Sequence, residues 1–309
     1  MARILSPSFF FPLRDQIDPS GQIQYSPNAI IIFFVFQILG GHVGIPFILL
    51  TFYLSKGIPR HPLLINFLVT WMIYSTSFCI LLYLGKQFGP EPPHSFCAIQ
   101  SSLIYGTAVL TPTAGLAFVF NFWLKLRALA VSRSAKETTF QKCTLVAAPY
   151  IVFALTVVVT ACFGATNPEL VSRNRYTLYC TIHSDFVDIV PALAAIILFI
   201  LIVLECFIVI KLYQYRRETS HLRLGSGINI SIFLRAGIFS LYSFLSLIAC
   251  IAFWSRTGAE IPYIFQASLP TAAFVIFGSQ KDLLEAWYIT YIWSRLRHGH
   301  NVLKVTLIK

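Results

Sequence analysis

The sequence predicts an all-α fold: a seven-transmembrane helical bundle, N-terminus outside, with a C-terminal amphipathic interfacial helix. Three observations carry that expectation. Of 309 residues, 57% are hydrophobic and 11% charged, with a mean hydropathy of +0.73; soluble domains average roughly 25% charged residues. Seven apolar windows, bounded by turn and charge signals, approach the ~20 residues that cross a hydrocarbon core. With the N-terminus outside, most of the 23 Lys and Arg residues fall at cytoplasmic ends, the bias that orients membrane proteins. The formal charge of +11 therefore reads as orientation, and no nucleic-acid partner is expected.

Residues 1–27 form an extracellular tail. Its opening, MARILSPSFFFPLRD, is broken by prolines and Arg14 and lacks a small-residue cleavage site; it is not read as a signal peptide. The bundle occupies 28–280. Its first window, Asn28–Leu54, contains GGHVG, with Gly40 and Gly44 at the small-xxx-small spacing that suits a neighbouring helix or a second copy of the chain. That leaves a homodimer open beside ordinary intramolecular packing. His42, in the same window, reads as a satisfied polar residue.

The second window, Pro62–Leu84, carries Asn66 about one turn in. The third, Cys97–Leu124, holds Ser101, Ser102, Gly106, Thr107, Thr111, Thr113, Ala114 and Gly115. Such residues admit close neighbours and hydrogen-bond across helices, so this window is expected to be the central helix. Thr144–Phe163, Val187–Leu212, Ile230–Trp254 and Pro262–Ser279 follow, the last being shortest. Pro112, Pro149, Pro191 and Pro270 lie inside or near the start of four windows, where proline kinks a helix. In 281–309, KDLLEAWYITYIWSRLRHGH sets apolar and aromatic residues at helical spacing, as in a helix lying in the interface.

Little in the chain resembles catalytic machinery. The seven His residues scatter without ligand spacing, the seventh window has no lysine for a retinal Schiff base, and no GxSxG elbow or phosphate-binding glycine loop occurs. No enzyme activity, metal or cofactor is expected. Cys97 and Cys180 both fall on the oxidising side, where a disulfide pinning the long outer loop competes with two free thiols.

Near the outer ends, Gln100, Tyr105, His183, Asp185, Asp188, Trp254, Tyr263 and Gln266 are candidates for ligand binding, with interface anchoring as the plainer use. On the inner side, Lys125, Arg127, Arg133, Arg216, Arg217 and Arg223 are candidates for contact with a cytoplasmic partner, with attraction to the bilayer surface as the plainer use. Asn66, Asn121, Glu205 and Arg235 each lie about 6 to 9 Å in from the inner end and are expected to form a polar switch layer. A Glu205–Arg235 pair would hold the sixth span on the fifth; the competing arrangement has Arg235 reaching lipid phosphate and Glu205 neutral.

Seven spans, a cysteine atop the third facing one in the second outer loop, and a basic interfacial helix after the seventh resemble a G-protein-coupled receptor. More narrowly, RHPLLINFLVTWMIYS (60–75) and FGSQKDLLEAW (277–287) are similar to the seven-span receptor-like proteins of mushroom-forming fungi. The resemblance implies a plasma-membrane receptor that couples an extracellular ligand to a cytoplasmic heterotrimeric G protein. The chain departs from the rhodopsin-like pattern: it has no Asp/Glu-Arg-Tyr after the third span, no Trp-x-Pro in the sixth and no Asn-Pro-x-x-Tyr in the seventh. That switch mechanism is therefore not implied. A small-solute transporter or channel, and a ligandless membrane scaffold, are the alternatives.

Overall fold

The structure, a computed structural model, describes residues 16–17, 23–24, 27–55, 61–88, 90–130, 138–173, 178–218, 230–254 and 261–287. Helix α1 runs Pro27–Gln37, passes through a π-helical stretch at Ile38–Gly44 and continues as Ile45–Leu54. It is followed by α2 (Pro62–Tyr83), α3 (His94–Ala130), α4 (Thr139–Thr166), α5 (Ile189–Glu218), α6 (Ile230–Trp254), α7 (Ile261–Gly278) and the short α8 (Lys281–Ala286). Two strand pairs interrupt the all-α pattern: β1 (Gln16–Ile17) with β2 (Ile23–Gln24), and β3 (Val171–Arg173) with β4 (Cys180–Ile182). Neither is legible in the hydropathy.

Six helices among the described residues are long and apolar enough to cross a membrane; the apolar part of α7, Tyr263–Gly278, is shorter. The aliphatic surface has the same meaning. Only 11% of the apolar window of α4 and 22% of that of α5 are buried in the bundle. Ile151, Leu155, Val158, Ile196 and Phe199 stand exposed there. So large an apolar face needs hydrocarbon around it, not water.

The helices close a ring in which α1 packs on α2 and α7, α7 on α6, and α6 on α5, while α3 touches α2, α4, α5 and α6. The third window is central, as expected, although α2 has the larger buried share at 67%. Glycine sets the spacing around α3. A Cβ on Gly106 would meet Val157 of α4 at 2.5 Å, and one on Gly115 would meet Leu201 of α5 at 3.3 Å and Phe67 of α2 at 3.5 Å.

The hydroxyls of α3 correct one expectation. Ser101, Ser102, Thr107, Thr111 and Thr113 bond back to carbonyls of their own helix at 2.6–3.3 Å instead of reaching across. A short side chain finds the carbonyl three or four residues behind it nearer than any neighbour. These residues serve as small, internally satisfied packing surfaces.

The π stretch has a local cause. Pro46 lacks an N–H and its ring crowds the carbonyl one turn behind. The wide turn just before it bonds Ile45 N–H to Gly40 O, five residues back. A Cβ on Gly40 would lie 2.2 Å from the backbone nitrogen of Thr271, and one on Gly44 would lie 2.3 Å from Phe274. Both glycines are thus used against α7 of the same chain. Thr271 adds a bond of 2.7 Å to Phe36 O.

Candidate functional site

At one end of the ring, Cys97 at the start of α3 is disulfide-bonded to Cys180 in β4, with Cα atoms 5.0 Å apart. The β3–β4 hairpin is seated by two further side chains of α3. Gln100, fully buried, donates from Nε2 to Ser77 O (3.1 Å) and Phe78 O (3.4 Å) on α2 and accepts from Cys180 N–H (3.0 Å). Tyr105 donates its hydroxyl to Ile182 O at 3.1 Å and lies 3.1 Å from Thr181 Oγ1. Arg173, next to the turn of the hairpin, ties it to the α2–α3 link through Lys86 O and Gln87 O.

Residues immediately before the bonded cysteine enter the mouth. Leu178 and Tyr179 are 1% and 9% exposed. The Tyr179 ring lies 5.0 Å from Phe78 (α2), 6.3 Å from Phe33 (α1) and 6.3 Å from Tyr263 (α7). The mouth of the bundle is filled by its own loop.

The residues expected to bind a ligand are dispersed by this arrangement. Gln100 and Tyr105 have their polar atoms turned to the hairpin, where they act as its seat. Tyr263 borders the Tyr179 plug, and Gln266 offers its backbone carbonyl to Tyr74 Oη at 3.3 Å. His183, Asp185 and Asp188 are exposed on the segment leading into α5. Trp254 ends α6, its side chain outside the described set. The residue that sequence reasoning missed is Tyr179; the available signal was a Leu-Tyr pair beside the loop cysteine, apolar where loops are polar.

At the far end the polar layer resolves into separate joins. Tyr150 of α4 donates to Asn66 Oδ1 at 2.8 Å, and Asn121 is buried on α3. Ser240 of α6 donates to Glu205 Oε1 of α5 at 2.9 Å. Arg235 turns the other way, donating to Ile276 O (2.6 Å), to Ser279 O (3.0 Å) and to Ser279 Oγ at the end of α7. The expected Glu205–Arg235 pair is therefore replaced by two independent contacts. The reason is electrostatic: the last carbonyls of a helix have no partner within it and carry partial negative charge, so the end of α7 offers a guanidinium several acceptors at once.

The junction past α7 is also held from α1. Trp287 donates Nε1 to Thr51 Oγ1 at 2.7 Å, and its ring packs on Phe47 at 4.9 Å. Among the basic candidates, Arg127 lies over the Trp123 ring at 5.6 Å, and Lys125 is on the same turn region of α3. Arg216 and Arg217 fall in the last turn of α5 without described side chains. Arg133, Arg223 and the amphipathic stretch from Tyr288 onward lie outside the described residues. Among those described, no group of three His, Cys, Asp or Glu is placed to hold a metal. Comparison with protein-family models and with curated proteins returns no match for the chain.

Proposed function

We propose that the chain is a seven-span plasma-membrane receptor, N-terminus outside and C-terminus cytoplasmic, of the kind found in mushroom-forming fungi. It couples an extracellular ligand to a heterotrimeric G protein. The observation that supports this reading is the Arg235 grip on the end of α7. It joins α6 to α7 through one side chain on exposed-end carbonyls, a contact that can open without unfolding either helix.

The other end of α7 carries Tyr263 beside the plug. A ligand that shifts Tyr179 pushes on α7 at one end and loosens the grip at the other. Such a ligand acts by favouring one of two packings. Hydrogen bonds from a charged donor are worth about 1.5–3 kcal/mol each, and about 1.4 kcal/mol is tenfold in a population. Losing the grip is therefore enough to change basal output severalfold or more.

The test is nucleotide exchange on a heterotrimeric G protein added to vesicles containing the purified chain. Arg235→Gln is expected to raise basal exchange and Arg235→Lys to raise it less. Exchange equal to that of empty vesicles for wild type and both variants refutes the receptor reading.

A further inference from the structure

We propose that Tyr179 is a tethered ligand: its side chain fills a ring-binding pocket between α1, α2 and α7 that accepts the aromatic ring of an outside molecule when the loop withdraws. Assigning that molecule to signalling rests on the receptor reading; the self-occupied pocket does not. Adjacent loop residues divide between two cores. Cys180 packs in the small cluster around the disulfide with Val171 and Ile182, whereas Leu178 and Tyr179 join the main helix core with Phe33 and Phe78. The hairpin is already seated by the disulfide, Gln100 and Tyr105, so this second set of contacts exceeds what anchors it.

The walls of the pocket select an aromatic ring. Phe78 meets Tyr179 edge to face at 5.0 Å and 89°, Phe33 lies stacked at 6.3 Å and 30°, and Tyr263 is tilted at 6.3 Å. Aromatic quadrupoles favour such offset and edge-on arrangements, a gain that an aliphatic group of equal bulk does not make. Phe33 and Phe78 are each 1% exposed, and Phe78 rests in turn on Tyr74 at 4.7 Å. These walls are reached by neither water nor lipid. The occupant is visible, and it sets the class of an outside ligand: one that presents a phenol-like ring.

The tether decides how the site is used. Tyr179 is one residue from Cys180, which the disulfide fixes to the start of α3. A ring on so short a leash competes at an effective concentration of about millimolar or above. A free ring then binds only in the fraction of molecules whose loop has withdrawn, and its apparent affinity falls by that fraction. Deleting the tethered ring removes the competitor and leaves the walls.

The experiment melts the full chain in phosphatidylcholine vesicles with p-cresol, the tyrosine side chain cut free, and with methylcyclohexanol, its saturated counterpart. Tyr179→Ala should lower Tm by about 4–8 °C. Added p-cresol should then restore about half of that loss or more, saturably, and methylcyclohexanol about a third as much or less. At concentrations that saturate the variant, wild type should shift with neither, since its own ring holds the pocket. Phe186→Ala removes a ring from the exposed surface at the same end and should gain nothing from p-cresol. An unchanged Tm for Tyr179→Ala, equal shifts from the two probes, or a p-cresol shift shared by wild type would overturn the proposal. If Tyr179→Ala does not fold, Tyr179→Val, which opens less space, is read the same way. These melts contain no G protein, so they decide the pocket alone, and nucleotide exchange decides the receptor reading.

Discussion

Replacing Gln100 by leucine isolates the contribution of one buried amide to the seating of the hairpin. Leucine matches the side chain in bulk but removes three hydrogen bonds. The contact that matters most is with Cys180 N–H, 3.0 Å from Oε1 and fully buried. Leaving a buried donor unsatisfied costs about 1–3 kcal/mol. The bond to Ser77 O, at 3.1 Å, adds a net of about 0.5–1.5 kcal/mol. The one to Phe78 O, at 3.4 Å, lies beyond the usual range and contributes little. The sum is about 2–4 kcal/mol, partly offset by the added apolar surface of leucine.

For a chain of this size that loss lowers Tm by about 3–6 °C. A thiol-reactive dye can report it, because Cys79 on α2 is fully buried and reacts only when the bundle opens. The disulfide itself gives a second readout. If the hairpin lifts more often, reduction of Cys97–Cys180 by a mild reductant should quicken by about tenfold per 1.4 kcal/mol lost. Gln266→Leu is the control, expected to stay within about 1 °C, since its bond to Tyr74 is made through the backbone. A Gln100→Leu variant that melts and reduces like wild type would show that the amide does not hold the hairpin.

Three other expectations follow from the same geometry. Cys97→Ser and Cys180→Ser should each reduce surface level, with the double variant no worse than either, because both remove one bond across a separation of 83 residues; quantitative surface labelling checks this. Gly40→Ala forces α1 from α7, its Cβ 2.2 Å from Thr271 N, whereas Gly237→Ala meets nothing within 4 Å. Thermal melts should show the first destabilised by about 1–3 kcal/mol and the second unchanged or more stable by up to about 1 kcal/mol. Glu205→Gln and Arg235→Gln should combine additively in stability, within about 0.5 kcal/mol, because one bonds Ser240 and the other the end of α7; a larger coupling energy would restore a direct pair.

Spans were legible because length and hydropathy are one-dimensional properties. The window Asn28–Leu54 is reproduced at both ends, and Pro62 opens α2 as read. The π stretch within α1 was not anticipated, although Gly-Gly ahead of Pro46 carries its cause. For the cysteines, two on one side of the membrane left a single pairing to consider, and the structure forms it.

Direction was the property the sequence could not supply. Knowing that Arg235 and Glu205 lie at similar depth says nothing of the azimuth each faces. The arginine turned toward α7, where Ile276 O, Ser279 O and Ser279 Oγ converge on its guanidinium, while Ser240 meets the Glu205 carboxylate. Small polar residues on α3 announced close packing but not the destination of their hydroxyls, since the nearest acceptor lies in their own helix. Tyr179 was invisible for a related reason: a loop residue is buried only by what the disulfide brings beneath it. The sequence by itself determined a membrane chain of apolar helices, because burial in hydrocarbon acts on composition, and it offered a bridge for the long loop that the structure then formed. Only the tertiary structure decided which side chains meet, because that depends on the rotation of each helix about its axis, which packing against neighbours sets.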